Sequence, residues 1–193
     1  MNPKLNQKGC TLIVLAEWKP PVYSNTGIPV ITSSIRRNSP QHLDSKIHHN
    51  NLLNNILAVI EANTANVDSA VMLDAYGFIS ETNDTNIFLV RDNVILTPTT
   101  DSCLPGLTRQ MILEIATEEG ILTKEKNLSL TDLYSADEVF TSGTMGEITP
   151  VLKADGRDIG KGKAGVITKR IQELHSSFAY KTGEPVPFKE PVK

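Results

Sequence analysis

Apolar positions along the chain follow two spacings, and the switches between them mark the elements. Residues 10–18 run Cys-Thr-Leu-Ile-Val-Leu-Ala-Glu-Trp, which predicts a buried strand ended by Lys19-Pro20-Pro21. Residues 29–36 are rich in β-branched side chains and predict a second strand, followed by a polar loop from Arg37 to Asp44. Over 50–63 the spacing becomes helical, with Leu53, Ile56, Leu57 and Ile60 on one face. Short strands then crowd together at 70–73, 78–79, 86–90 and 94–97, parted by the turns Asp74–Gly77 and Arg91–Asn93, in the pattern of a meander. A second helix is expected over about 107–119, with the stripe Met111, Ile112, Ile115 and Ala116 and a stop at Gly120. Residues 121–125 read as a strand, and Ser129–Asp132 as a capping box opening a short helix. Two further strands at 138–141 and 148–153 precede a last helix over about 164–180 and a Pro-rich tail at 186–193. Strands alternating irregularly with helices point to an α+β fold around one core.

Composition narrows the function classes. Among 193 residues, 19 Lys and Arg face 22 Asp and Glu, a balance unlike the basic excess of a nucleic-acid binder. The longest apolar run, Thr11 to Ala16, is far short of the roughly 20 residues that span a bilayer. The N-terminal stretch lacks the charged, apolar and small-residue order of a signal peptide. Cys10 and Cys103 are too far apart to outline a disulfide scaffold or zinc knuckle and read as reduced thiols of a cytoplasmic protein. His42, His48, His49 and His175 stand in no HExxH or CxxC context, so no metal is expected.

Four local features offer chemistry, each with a plainer alternative. Lys46, just ahead of the first helix, becomes a nucleophile toward carbonyls if its amine is desolvated, and is otherwise a solvated lysine. Beside it, His48 and His49 read as polar contacts. Glu81, at a strand end in Ile79-Ser-Glu-Thr-Asn-Asp-Thr-Asn-Ile-Phe88, either holds a proton on a heterocycle nitrogen or organises a turn. Leu104-Pro-Gly-Leu-Thr-Arg109 leaves the first N–H groups of a helix free for an anion, unless Thr108 simply caps that helix. Thr141-Ser-Gly-Thr-Met-Gly-Glu-Ile-Thr-Pro150 supplies hydroxyls and turn N–H groups for a phosphate or carboxylate, or is a plain hairpin loop.

Taken in order, the lysine, Ile-Ser-Glu-x₄-Asn-Ile-Phe, Leu-Pro-Gly-Leu-Thr-Arg and Ser-Gly-Thr-x₂-Glu-Ile-Thr-Pro resemble the fold-type IV pyridoxal-phosphate enzymes, branched-chain amino acid aminotransferases most of all. The resemblance spans about residues 29–183. It implies the large domain of the D-amino acid aminotransferase-like fold, a pseudo-barrel of mixed sheets with flanking helices. Residues 1–28 would then be the end of a small domain and the interdomain segment, 29–183 the cofactor-binding domain, and 184–193 a tail. The implied cofactor is pyridoxal 5'-phosphate and the implied assembly a homodimer.

By the same resemblance, Lys46 would carry the cofactor as a Schiff base and move the substrate proton. Glu81 would keep the pyridine nitrogen protonated, and Leu104 would pack on the ring. Leu107, Thr108 and Thr144 would bind the phosphate, Thr144 and Met145 the substrate carboxylate, and Arg37 would stand near the cofactor rim. The implied reaction is transamination between an amino acid, leucine, isoleucine or valine, and 2-oxoglutarate. D-amino acid transamination, aminodeoxychorismate lyase chemistry and an inactive domain are the alternatives.

Three departures from the family pattern accompany the match. Lys46 lies five residues before Asn51, so the family's lysine column falls near Ile47 or His48, and Lys46 serves only with a small insertion in the loop. Leu52 stands where many members have Tyr. The segment 10–18 matches the final strand of a small N-terminal domain, most of which is expected to be missing.

Overall fold

The computed structural model describes residues 2–5 and 8–183. The Pro-rich tail at 186–193 lies outside the described residues. The strands are β1 (Ile28–Thr32), β2 (Ser69–Leu73), β3 (Ile79–Thr82), β4 (Asn86–Arg91), β5 (Val94–Thr97), β6 (Thr123–Glu125), β7 (Glu138–Gly143), β8 (Glu147–Ala154) and β9 (Arg157–Asp158). The helices are α1 (Leu53–Thr64), α2 (Leu107–Glu118), α3 (Leu130–Tyr134) and α4 (Val166–Thr182). Among the described residues, none of the helices is long and apolar enough to cross a membrane.

The strands form one mixed sheet in the order β3-β2-β1-β8-β7-β4-β5-β6, with β9 on β8. This departs from a meander. The hairpin β4–β5 does form, through Asp92 and Asn93 at positive φ (51° and 62°), as a tight turn that follows the strand twist requires. Yet β3 and β4, consecutive in sequence, lie at different places along the sheet, with β2, β1, β8 and β7 between them. The end of β3 and the start of β4 are joined by the tight turn 83–85, in which the Thr82 N–H donates to the Thr85 carbonyl at 2.8 Å. Parallel pairings β1–β2 and β5–β6 are bridged by α1 and α2, as parallel neighbours require a crossover.

Burial on both faces of the central strands explains their near-continuous apolar runs. Along β4, Ile87 and Leu89 face a cluster with Val71, Leu128, Leu133 and Val139. Phe88 and Val90 face the other way, with Ile112 and Ala116 of α2 and Ile171 of α4. Phe88 stacks on Phe140 with ring centroids 4.8 Å apart. The N-terminus of α4 is pinned to β7 because the Glu138 carboxylate accepts from the backbone N–H groups of Ile167 and Thr168. Ser129 and Asp132 form the expected reciprocal capping box.

Two expectations fail. Residues 10–18 form no strand; they are exposed throughout and pair with no other strand, because nothing among the described residues packs over Leu12, Val14 or Trp18. Helix α1 also turns the opposite way from its pattern. Leu53, Ile56, Leu57 and Ile60 are exposed, while Ala58 and Ala62 pack on Ala70 and Met72 of β2. Small side chains let the helix approach the sheet closely, so its larger stripe faces outward.

Candidate active site

A cavity of about 650 Å³ opens at the short connection between β3 and β4. Glu81, Asp84, Thr85 and Asn86 line one side, Leu104 to Thr108 a second, and Ser142 to Gly146 of the β7–β8 turn a third. Val22, Tyr23 and His48 complete it. A smaller cavity of about 180 Å³ adjoins, sharing Glu81, Asp84, His48 and Leu104 and adding Arg37 and His49.

Glu81 is the electrostatic centre, with only 5% of its surface exposed. Its Oε1 accepts from Arg37 Nε at 2.6 Å, and its Oε2 accepts from the Leu104 N–H at 3.3 Å. Burial pushes its pKa up to about 6, and the Arg37 guanidinium opposes that rise. At neutral pH it is therefore a carboxylate, yet poised to share a proton with a basic nitrogen.

The segment 104–109 is set by close contacts. The Asn86 side-chain amide donates to the Leu104 carbonyl at 2.8 Å. A side chain on Gly106 would place its Cβ 2.3 Å from Asn86 Oδ1, so only glycine allows this approach. Gly106 then caps α2 without a side-chain bond, and the N–H groups of Leu107 and Thr108 head the helix facing the cavity. Helix capping by Thr108, the plainer reading, is not what the structure shows. Arg109 is structural: it donates to the Pro98 carbonyl at 2.9 Å and to Glu125 at 2.5 Å, tying α2 to the sheet.

Across the cavity, Thr144 and Met145 occupy the exposed tip of the β7–β8 turn. Ser142 lines the same cavity, and its buried Oγ has no hydrogen-bond partner. Buried hydroxyls are nearly always satisfied, so this one marks a place for a polar ligand. Tyr23 donates to Asp84 Oδ2 at 2.7 Å, and burial of this pair raises the pKa of both groups. Cys103, next to Leu104, is buried, and burial pushes its thiol up to about 12, which disfavours the thiolate.

Of the expected site residues, Glu81, Leu104, Leu107, Thr108, Thr144 and Met145 converge on the main cavity. Arg37 lies behind Glu81 and lines only the smaller one. Lys46 lines neither. It occupies a turn in which its own N–H donates to Asp44 Oδ1 at 3.0 Å and the Ile47 N–H donates to the Asp44 carbonyl at 3.0 Å. Its side chain is 42% exposed, with Nζ 3.5 Å from Asp44. The neighbouring Ser45 points inward, buried, and bonds the Asn38 carbonyl at 2.8 Å. In this loop Ser45, Ile47, His48 and His49 line the smaller cavity, and of these only His48 also lines the main one. Lys46 thus lies outside both cavities, whereas His48 lines both.

Tyr23, Asp84, Asn86 and Ser142 were not singled out from the sequence. Asn86 and Ser142 stand inside recognised motifs, a signal that could have found them. Tyr23 and Asp84 reach the cavity only through the fold.

Comparison with known proteins agrees with this geometry. The family model for "Amino-transferase class IV" matches residues 4–154. A branched-chain-amino-acid aminotransferase-like protein of Arabidopsis thaliana is 56% identical over the whole chain, which spans only 35% of that relative's length. The crystal structure of the Escherichia coli branched-chain amino acid aminotransferase superposes with a TM-score of 0.78 at 40% identity, covering 81% of this chain and 53% of that one. The branched-chain amino acid aminotransferase of Thermobaculum terrenum, solved in its PLP-form, gives 0.79 at 29% identity, covering 83% and 53%.

Proposed function

The chain belongs to the class IV aminotransferases, and on that footing we propose that residues 29–183 hold pyridoxal 5'-phosphate for an exchange of amino groups between amino acids and 2-oxo acids. The observation that supports this most directly is the convergence of a buried carboxylate, a free helix N-terminus and an unpartnered serine hydroxyl on one cavity. These are the three donor and acceptor types that a protonated ring nitrogen and a phosphate need.

When bound, the cofactor supplies an electron sink for the carbanion left by loss of a substrate proton. The protein's part is binding, orientation and charge. Glu81 holds a proton at the ring nitrogen, helped by a pKa near neutrality. Leu104 covers one face of the ring. The N–H groups of Leu107 and Thr108, with the Thr108 and Thr144 hydroxyls, take the phosphate, where the helix dipole favours negative charge. N–H groups of the turn at Thr144 and Met145 orient the substrate carboxylate. Arg37 acts on Glu81, fixing the rotamer of that carboxylate rather than touching the cofactor.

The relatives' names support the finer reading of a branched-chain amino acid as donor; 2-oxoglutarate as acceptor is part of the same proposal. A homodimer belongs to the same proposal, and the exposed stripe of α1 supports an assembly that covers it. Transfer through Lys46 requires the turn at Asp44 to open and bring Nζ into the cavity.

Calorimetric titration of the chain with pyridoxal phosphate tests the core reading. One saturable site per chain, weakened about tenfold or more by Thr108→Val, is expected, since a hydrogen bond to a charged group contributes about 1.5–3 kcal/mol. Absence of saturable binding overturns it. Glutamate formation from leucine and 2-oxoglutarate, run beside D-alanine and aminodeoxychorismate, separates the substrate readings.

A further inference from the structure

We propose that His48 occupies the place at this cavity where a covalent amine would be needed, so that the chain takes the aldehyde and amine forms of the cofactor as freely exchanging ligands. The inference rests on the cofactor reading above and goes beyond it.

The chemistry is simple. Capture of an aldehyde as a carbon–nitrogen double bond needs a primary amine. Among the described residues, no lysine lines the main cavity or the smaller one. His48 lines both, on the same cavities as Glu81 and Leu104. An imidazole can accept or donate a hydrogen bond but cannot form that double bond. Lys46 is held away by three local features: its N–H bond to Asp44, its ammonium's contact with the same carboxylate, and the inward anchoring of Ser45. Moving Lys46 inward by two positions would drive Ser45 out of its buried bond and His48 out of the cavity.

His49 adds an independent observation. It lines the smaller cavity with Arg37 and Glu81, and its buried Nδ1 has no partner. The loop therefore presents two imidazoles, and no amine, to the ring-binding end. Thr108, Ser142 and Thr144, the residues proposed to take the phosphate, line the main cavity and need no covalent bond to do so. Binding energy then comes from phosphate, ring and nitrogen, which pyridoxal phosphate and pyridoxamine phosphate share.

The test titrates the full chain with pyridoxal phosphate and, separately, with pyridoxamine phosphate, then treats the first complex with borohydride and maps adducts by mass spectrometry. Expected are dissociation constants within about tenfold of each other and no stoichiometric adduct on any lysine. His48→Lys should tighten pyridoxal phosphate alone by at least about tenfold and yield an adduct at position 48. A stoichiometric adduct on Lys46 in the unaltered chain overturns the inference and leaves the cofactor reading standing. Retained binding with no adduct in His48→Lys also overturns it, because position 48 would then not face the aldehyde. Binding of neither form overturns the cofactor reading, and the inference with it.

Discussion

The cavity has two unlike walls. One is carried by strand ends and a helix start: Glu81 on β3, Asn86 on β4, Gly106 to Thr108 at the head of α2, and the β7–β8 turn. Glu81, Asn86 and the Leu104 backbone constrain one another there through buried bonds, with Arg37 behind them. The other wall is the segment between β1 and α1, which has no regular structure from 38 to 52. There Lys46 and His48 are both exposed, and the facing of each depends on one turn at Asp44. The difference teaches that a motif transfers reliably where hydrogen bonds and close packing fix register. In a loop, a shift of two residues changes which chemistry faces the ligand at little cost to stability.

Four perturbations sharpen that contrast. Arg37→Met should cost the most, about 3–5 kcal/mol, because it strands a buried carboxylate on the rigid wall; urea denaturation measures it. Gly106→Ala comes next, at about 1–3 kcal/mol, since the new methyl group collides with Asn86 and must displace it. The same variant should weaken binding of inorganic phosphate at the head of α2, and an unchanged affinity would remove that helix start from the anion site.

A smaller effect is expected from pH. The folded-state pKa of Glu81 is raised to about 6, above the ordinary carboxylate value, so the stability it contributes is present at low pH and lost as pH rises through 6. Cofactor affinity should move oppositely, falling as the carboxylate takes up its proton between pH 7 and 5. Glu81→Gln should flatten this group's share of both profiles, and parallel curves for the two proteins would show that Glu81 governs neither. Smallest of all is Lys46→Ala, with a stability change within about 0.5 kcal/mol, since its pair with Asp44 is solvent-screened. A loss larger than about 1 kcal/mol in the same denaturation measurement, beyond the usual worth of an exposed pair, would show that the loop wall is as constrained as the other.

Much of the molecule was legible in the sequence. Helix α2, the capping box at Ser129 and the hairpin at Asp92-Asn93 follow from spacing and turn chemistry, because local geometry dictates them, whereas the motif residues from Glu81 to Met145 were legible only through the family resemblance. The outward face of α1 was not legible. Periodicity locates an apolar stripe but does not say whether it meets the sheet, and here the smaller alanines on the opposite face allowed the closer approach. Segment 10–18 shows the same limit: apolar alternation predicts a strand, but a strand needs a neighbour to pair with.

By itself, then, the order of residues pointed to the α+β class, through short-range steric and hydrogen-bonding rules, and to the family, through motifs whose order and spacing resemble it. Only the tertiary structure decided that β3 and β4 take distant places in the strand order, that Tyr23 and Asp84 line the cavity, and that His48 rather than Lys46 lines it. Those outcomes depend on contacts between residues distant in the chain, and on which of several near-equal loop conformations the surrounding packing selects.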